Sequence, residues 1–233
     1  MRILVTRPED DAAAFAALLK ARGHEAVLAP LLSIRLIGES EIDLDGVQAI
    51  LATSANGIRA LARRSVRRDV AVFAVGPQTA EAAKTLGYTN VKNAGGDAKK
   101  MVVATQDWAK PDDGALLHAA GLHTQGALAA GLGKHGFDVR SAVLYEAVAA
   151  EELPHSVVLA LREHKIQAVA HFSPRSARIF RECVTKARAK SACAGLTALC
   201  ISQAAADALA PLKFRAVRVA KSPDQDAVLA LLD

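Results

Sequence analysis

The chain repeats itself on the scale of a domain. Gln48-Ala49-Ile50-Leu51-Ala52-Thr53-Ser54 is matched by Gln167-Ala168-Val169-Ala170-His171-Phe172-Ser173, and beyond the serines Arg59 is matched by Arg178 at the same offset. Phe73-Ala74-Val75-Gly76-Pro77-Gln78-Thr79-Ala80 finds a counterpart in Leu199-Cys200-Ile201-Ser202-Gln203-Ala204-Ala205-Ala206. The beginning behaves alike: Ile3-Leu4-Val5, a helical stretch, Gly23 and Val27 track Leu116-Leu117, a helical stretch, Gly136 and Val139. Self-similarity of several elements in the same order, here at offsets of 119 and 126, constrains architecture more than any single motif. Matching elements in the same order divide the 233 residues into two related halves of about 115 each.

Each half alternates short apolar runs with amphipathic stretches. Arg2–Val5, Ala26–Leu28, Ala49–Leu51, Val70–Val75, Leu116–Leu117, Val139–Leu144, Ala168–Phe172, Ala198–Ile201 and Ala216–Val219 have the length and composition of strands. Helical spacing marks Asp10–Arg22, Ala55–Arg64, Gln78–Leu86, Ala98–Lys110, Gln125–His135, Pro154–His164, Arg175–Ala189 and Ala204–Leu209. Strand–helix alternation with nearly continuous apolar strands predicts parallel sheets covered on both faces. The expected fold class is therefore α/β, as two doubly wound parallel-sheet domains. Ligands of such folds sit beyond the carboxyl ends of strands, where short loops lead into helices. Those loops are Thr6-Arg7-Pro8, Thr53-Ser54-Ala55-Asn56, Gly76-Pro77-Gln78-Thr79, His118-Ala119-Ala120-Gly121, Ser173-Pro174-Arg175-Ser176 and Ser202-Gln203. Their small hydroxyl residues and glycines suit carboxylate or phosphate at a helix start.

Composition narrows the partner. With 52% hydrophobic residues the chain buries too much to be disordered, and no apolar run reaches the length of a membrane span. The opening Arg2-Ile3-Leu4-Val5-Thr6 lacks the pattern of a secretory signal, and Cys183, Cys193 and Cys200 form no CxxC pair. A cytoplasmic location with reduced thiols is expected. The net charge of +5 favours an anionic partner. Nucleic acid is not expected, because the basic cluster Arg63-Arg64-Ser65-Val66-Arg67-Arg68 contains no stacking aromatic and reads as a solvated helix end. No membrane partner is expected either.

No phosphate-binding glycine motif, metal-ligand spacing or nucleophile elbow stands in its required context. Gly131-Leu132-Gly133 reads as a helix-to-strand turn, and the seven histidines are scattered. His118 and His123 flank one strand-end loop, whereas His24 and His135 are corresponding turn residues of the two halves. Ser54 and Ser173 invite a nucleophile reading, but capping of the following helices is the commoner reason for serine there and is the favoured one. Arg7 ends the first strand, either as a surface arginine or as a cation meeting a ligand. Tyr145, in Val143-Leu144-Tyr145-Glu146, reads as packing or as a site residue, and Trp108 as core.

Thr6-Arg7-Pro8, Thr53-Ser54-Ala55-Asn56, Ala74-Val75-Gly76-Pro77-Gln78-Thr79-Ala80, Gly121, Val143-Leu144-Tyr145 and Phe172-Ser173-Pro174, in this order, resemble the uroporphyrinogen-III synthase family almost end to end. The resemblance implies two flavodoxin-like domains joined by a two-stranded linker, the first domain discontinuous. One domain would comprise residues 1–32 and 150–233, the other 44–143, with linkers at 33–43 and 144–149. It implies cyclisation of hydroxymethylbilane to uroporphyrinogen III, with loss of water and inversion of ring D, and no cofactor or metal. The polycarboxylate substrate would meet Arg7, Thr53, Ser54, Asn56, Gly76, Thr79, Gly121 and His123, and also Ser173, Arg175, Ser176 and Ser202. Tyr145 falls where the family has its tyrosine and is the candidate catalytic residue. A monomer is expected, with the enzyme that makes the substrate as a further partner.

Two departures from the family pattern stand out. Gln125 occupies a place where the family usually has a basic residue, and Ser202-Gln203-Ala204-Ala205 lacks the glycine and threonine of its counterpart loop. The competing expectation is a non-catalytic two-domain protein binding a small anion, with a periplasmic-binding-like architecture. A nucleotide-dependent enzyme is disfavoured by the missing phosphate-binding glycines.

Overall fold

The structure, a computed structural model, describes residues 1–124 and 126–233. The first half of the chain forms β1 (Arg2–Val5), α1 (Glu9–Ala21), β2 (Glu25–Leu28), β3 (Leu32–Leu36), β4 (Val47–Ala52), α2 (Ala55–Ala62), β5 (Ala71–Ala74), α3 (Pro77–Thr85), β6 (Val91–Asn93) and α4 (Ala98–Trp108). The second half forms β7 (Ala115–Gly121), α5 (Ala127–Gly133), β8 (Val139–Ala149), α6 (His155–Arg162), β9 (Ala168–His171), α7 (Pro174–Lys186), β10 (Thr197–Cys200), α8 (Gln203–Asp207), β11 (Ala216–Val219) and α9 (Gln225–Leu229). Two sheets result, ordered β11-β10-β9-β1-β2 and β3-β8-β7-β4-β5-β6. By internal packing the chain divides into unit 1, Met1–Ser33 with Val148–Asp233, and unit 2, Ile34–Ala147.

Burial explains which strands stand in the middle. β1, β9 and β10, like β4, β5 and β7, are built from residues apolar on both faces and lie almost wholly buried. Such runs need helices above and below, and they pair in parallel with their neighbours. In unit 1, Leu4, Val169 and Ala198 pack with Phe180 and Val184 of α7 on one face. Ile3, Val5, Ala170 and Leu199 meet Phe15 and Leu19 of α1 and Val228 of α9 on the other. In unit 2, Ile50, Val72 and Leu117 face Ile58 and Leu61 of α2, whereas Leu51, Phe73 and Leu116 face Met101 of α4 and Leu132 of α5.

The sequence repeat maps onto these sheets position by position. β9 and β4, β10 and β5, β1 and β7, and β2 and β8 hold equivalent places in the two sheet orders. Each half of the sequence is nevertheless shared out: the first supplies β1 and β2 to unit 1 and β4, β5 and β6 to unit 2. In unit 1 the strands run 2-1-3-4-5 in their own chain order, the flavodoxin-like arrangement. The chain passes between the units within β3 and β8, which are neighbours in one sheet. There the Ile37 amide donates to the Leu144 carbonyl, and the Ala150 amide to the Leu31 carbonyl.

Several sequence expectations need correction. β6, the short edge strand Val91-Lys92-Asn93, and α9, a single turn begun by Asp224, lie outside the expected elements, whereas β3, the edge strand Leu32-Ser33-Ile34-Arg35-Leu36, falls where the resemblance implies a linker strand. His118-Ala119-Ala120-Gly121 is not a loop but the carboxyl-terminal part of β7, fully buried. Gly131-Leu132-Gly133 lies inside α5, not in a turn. The basic cluster is no solvated helix end. Arg64 donates to the Ile37 and Ser40 carbonyls, and Arg68 to those of Ala62, Ser65, Arg67 and Leu86. Arg67 is held by Asp45 and Asp69. Two of the Arg68 acceptors, the Ala62 and Leu86 carbonyls, are ones that the ends of α2 and α3 leave unpaired, and the others belong to the connecting segments. No helix of the described residues is long and apolar enough to cross a membrane.

Candidate functional site

Each sheet has a switch point, where connections leave in opposite directions and open a crevice beyond the strand ends. In unit 1 it lies between β1 and β9, adjacent and in register from Ile3 opposite Ala168 to Val5 opposite Ala170. In unit 2 it lies between β4 and β7. The predicted site residues divide between them: Arg7, Ser173, Arg175, Ser176 and Ser202 belong to unit 1, the others to unit 2.

In unit 1 the edge is closed by its own bonds. Thr6 donates its hydroxyl to the Ala170 carbonyl at 2.9 Å, tying β1 to β9. Arg7 is 5% exposed: its guanidinium donates to Gln225 Oε1 at 2.8 Å, pairs with Asp11 at 3.4 Å and lies 4.1 Å above the Phe172 ring. This arginine, expected at the surface or on a ligand, is a buried strut between β1, α1 and α9. Ser173 caps α7 by accepting from the Ser176 amide at 3.0 Å. Its hydroxyl donates to Ser176 Oγ, which donates to the Ser173 carbonyl at 3.0 Å. Both hydroxyl protons are thus engaged within the turn, and the serine pair shapes a helix start. Ser202 caps α8 through the Ala205 amide at 3.3 Å, and Arg175 sits half-buried on the first turn of α7.

The loops of unit 2 are bonded differently. Ser54 caps α2 by accepting from the Asn56 amide at 3.1 Å, and Asn56 Oδ1 accepts from Arg59 at 3.3 Å, leaving the Asn56 side-chain amide protons for another partner. The helix is pressed onto β7: a Cβ on Gly57 would come within 2.4 Å of the Ala119 carbonyl oxygen. Gly76 begins α3 without any side-chain cap, with Pro77 next and Thr79 buried in the first turn. Backbone N–H groups at such a start attract anions. Thr53 Oγ1 lies 3.1 Å from His118 Nε2. His118 is 3% exposed, and burial lowers its pKa, so the ring is neutral near pH 7.

On β8, across β7 from β4, stands Tyr145. The pairing of β7 with β8 slips by one residue between Ala120 and Gly121, so that Gly121 faces Tyr145. A bulge of this kind re-aims the side chain it carries. The phenol ring lies on the Gly121 backbone, where a Cβ would fall 2.9 Å from the ring. Gly121 is held in turn by Thr124, whose hydroxyl accepts from the Gly121 amide at 3.0 Å. Next along β8, Glu146 pairs with Arg35 of β3 and, at 3.4 Å, with His123, which is 61% exposed. The Arg35 hydrogen bond, with help from His123, holds the Glu146 carboxyl below its usual range.

Sequence reasoning missed Arg35, Thr124 and Glu146, because a partner in space leaves no trace in local spacing. His118 was undervalued, although a lone imidazole inside Ala115-Leu116-Leu117-His118-Ala119-Ala120 was the available signal. The expectation attached to Gln125 lies outside the described residues. Among the described residues no cluster of three His, Cys, Asp or Glu could hold a metal ion.

The family model described as uroporphyrinogen-III synthase HemD matches residues 13–230. Among solved structures, a uroporphyrinogen-III synthetase from Helicobacter pylori superposes with a TM-score of 0.65 at 18% identity, covering 100% of this chain and 98% of that one. A mutant uroporphyrinogen III synthase from the extremely thermophilic bacterium Thermus thermophilus gives 0.54 at 17% identity, covering 100% and 97%. These likenesses establish the fold. No curated protein matches the sequence.

Proposed function

The chain belongs to the uroporphyrinogen-III synthase family, and from that premise we propose how its residues divide the work of the reaction. It is an enzyme of haem biosynthesis that forms uroporphyrinogen III. Its substrate in this reading is hydroxymethylbilane, a linear tetrapyrrole bearing many carboxylates, and the enzyme is a cyclising lyase. The hydroxymethyl C–O bond breaks, and a pyrrole nitrogen stabilises the resulting cation. The substituted carbon of ring D attacks it, giving a spiro intermediate that fragments and recloses with the ring inverted. The departing hydroxide leaves as water, its proton matched by the one lost from the macrocycle.

Such chemistry asks mainly for positioning and a weak acid near the leaving oxygen. Tyr145 is that acid: its phenol hydrogen-bonds the departing hydroxyl. One observation carries the assignment, the bulge that seats Tyr145 on Gly121 at the carboxyl end of β7 in unit 2. Thr53, Asn56 and the N–H groups opening α3 receive carboxylates, with Ser54 shaping the start of α2. On unit 1, Ser173, Ser176 and Ser202 act by shaping helix starts, and Arg175 adds positive charge. His123 adds a weaker contact, shared with Glu146. The three buried, unpaired thiols accord with work in the cytoplasm.

The test is incubation with freshly prepared hydroxymethylbilane, oxidation, and separation of the porphyrin isomers. An excess of type III is expected, and type I alone, the product of spontaneous closure, overturns the function. Tyr145→Phe lowers kcat on the order of 10²-fold with a smaller change in KM. Near-full kcat in that variant removes Tyr145 from the mechanism.

A further inference from the structure

We propose that His118 is a positioning residue, which donates from Nε2 to Thr53 Oγ1 and so keeps the threonine hydroxyl proton pointed outward for a substrate carboxylate. The proposal rests on the reaction assigned above and deepens it at one contact. The juxtaposition is built by the sheet: β4 and β7 are central neighbours, with Leu51 opposite His118, and Thr53 follows two residues beyond, where β4 ends. Gly57 pressed on the Ala119 carbonyl holds α2, and with it the Thr53–Ser54 turn, against the strand that carries His118. The imidazole is buried and Thr53 half-buried, and the hydroxyl is the polar contact that links the ring to the end of β4.

The chemistry turns on the tautomer. A neutral imidazole has one donor and one acceptor nitrogen. Were Nε2 the acceptor, Thr53 would give it the hydroxyl proton and show only lone pairs to the crevice, which repel a carboxylate. With the proton on Nε2, Thr53 accepts from the ring and donates outward, and a donor bonded to an anion makes a stronger hydrogen bond than a neutral pair. Burial disfavours the charged ring, which leaves the Nε2–H tautomer as the form that serves an anion. The acceptance of the ring proton also polarises the hydroxyl and strengthens its outward bond.

The full-length protein labelled with 15N-histidine, without ligand, gives the first test, since ring nitrogen shifts and couplings separate the tautomers. Nε2–H is expected for His118, and a ring protonated on Nδ1 alone overturns the proposal. Kinetics on hydroxymethylbilane supply the second. His118→Phe and Thr53→Val each raise KM on the order of tenfold with kcat within about twofold, as loss of a hydrogen bond to a charged group requires. The double variant is no worse than Thr53→Val, because the two residues act as one unit. His118→Gln, whose amide nitrogen can take the place of Nε2–H, recovers most of the loss. Additive effects, or an unaltered KM in Thr53→Val, refute the positioning role, and the Thr53 and Gln variants keep the test open should the Phe variant fail to fold. A wild-type protein that makes only isomer I defeats the functional reading, whereas the tautomer then still reports on the His118–Thr53 bond alone.

Discussion

Replacing His171 with leucine should make the protein less sensitive to acid. His171 lies in β9, between β1 and β10, with its ring 0% exposed and neither nitrogen hydrogen-bonded. It packs edge-on against Phe180 at 5.1 Å, and Cys200 is its register partner on β10. Burial with no partner pushes its pKa down to about 3 from 6.5. The folded ring stays neutral where the unfolded one takes up a proton, so the unfolded state binds more protons between these values and stability falls with falling pH. The contribution is intact above about pH 7 and is lost progressively down to about pH 3. At pH 5 the unfolded ring is almost fully protonated, and the linkage relation gives a destabilisation of about 2 kcal/mol. Leucine has a similar volume and neither titrates nor leaves orphaned nitrogens, so His171→Leu should equal or exceed the wild type at pH 7.5. The assay is urea unfolding followed by circular dichroism at pH 7.5 and 5.0 for both proteins. Groups common to both, His118 included, cancel in the comparison. The loss of stability between the two pH values should be smaller in the variant by about 2 kcal/mol. Equal losses in the two proteins would refute the reasoning.

Three further substitutions probe the remaining contacts. Gly121→Ala drives a Cβ to 2.9 Å from the Tyr145 ring and should reproduce most of the kcat loss of Tyr145→Phe while the circular dichroism spectrum stays native. Gly57→Ala meets the Ala119 carbonyl oxygen at 2.4 Å, backbone that cannot move aside, and should cost about 1–3 kcal/mol in urea unfolding. Arg7→Ala removes the partner of Asp11 and the cover of Phe172, and should destabilise by about 3 kcal/mol, the order found for breaking a buried ion pair. An Arg7 variant of wild-type stability with a raised KM would return this residue to the ligand.

How much of the fold was legible can be judged strand by strand. The central strands announced themselves because a strand buried on both faces must be apolar throughout, as Ile3-Leu4-Val5 and Ala168-Val169-Ala170 are. β6 stayed hidden because an edge strand needs no such run and Val91-Lys92-Asn93 is too short to show a period, and β3 came from the resemblance alone, although Leu32-Ser33-Ile34-Arg35-Leu36 has the alternation of a half-exposed strand. The site loops were legible for a related reason. Ser54, Ser173 and Ser202 each follow a short apolar run and precede a helical stretch, and each proves to be a helix cap. Arg7 was not legible, since Asp11, Phe172 and Gln225 come together around it from distant parts of the chain.

The sequence by itself determined the kinds of elements, their order and the kinship of the two halves, because periodicity, caps and apolar runs are local properties. Pairing belongs to the tertiary structure alone. Nothing within Gln48–Ser54 or Gln167–Ser173 says that the first lies beside β7 and the second beside β1, so that each half of the repeat is divided between two sheets. Strands of equivalent pattern are interchangeable in sequence, and only the burial of particular faces against particular helices decides between the arrangements. The same holds for function. Tyr145 on Gly121, and His118 behind Thr53, are contacts across adjacent strands of one sheet, and they exist only once that sheet has formed.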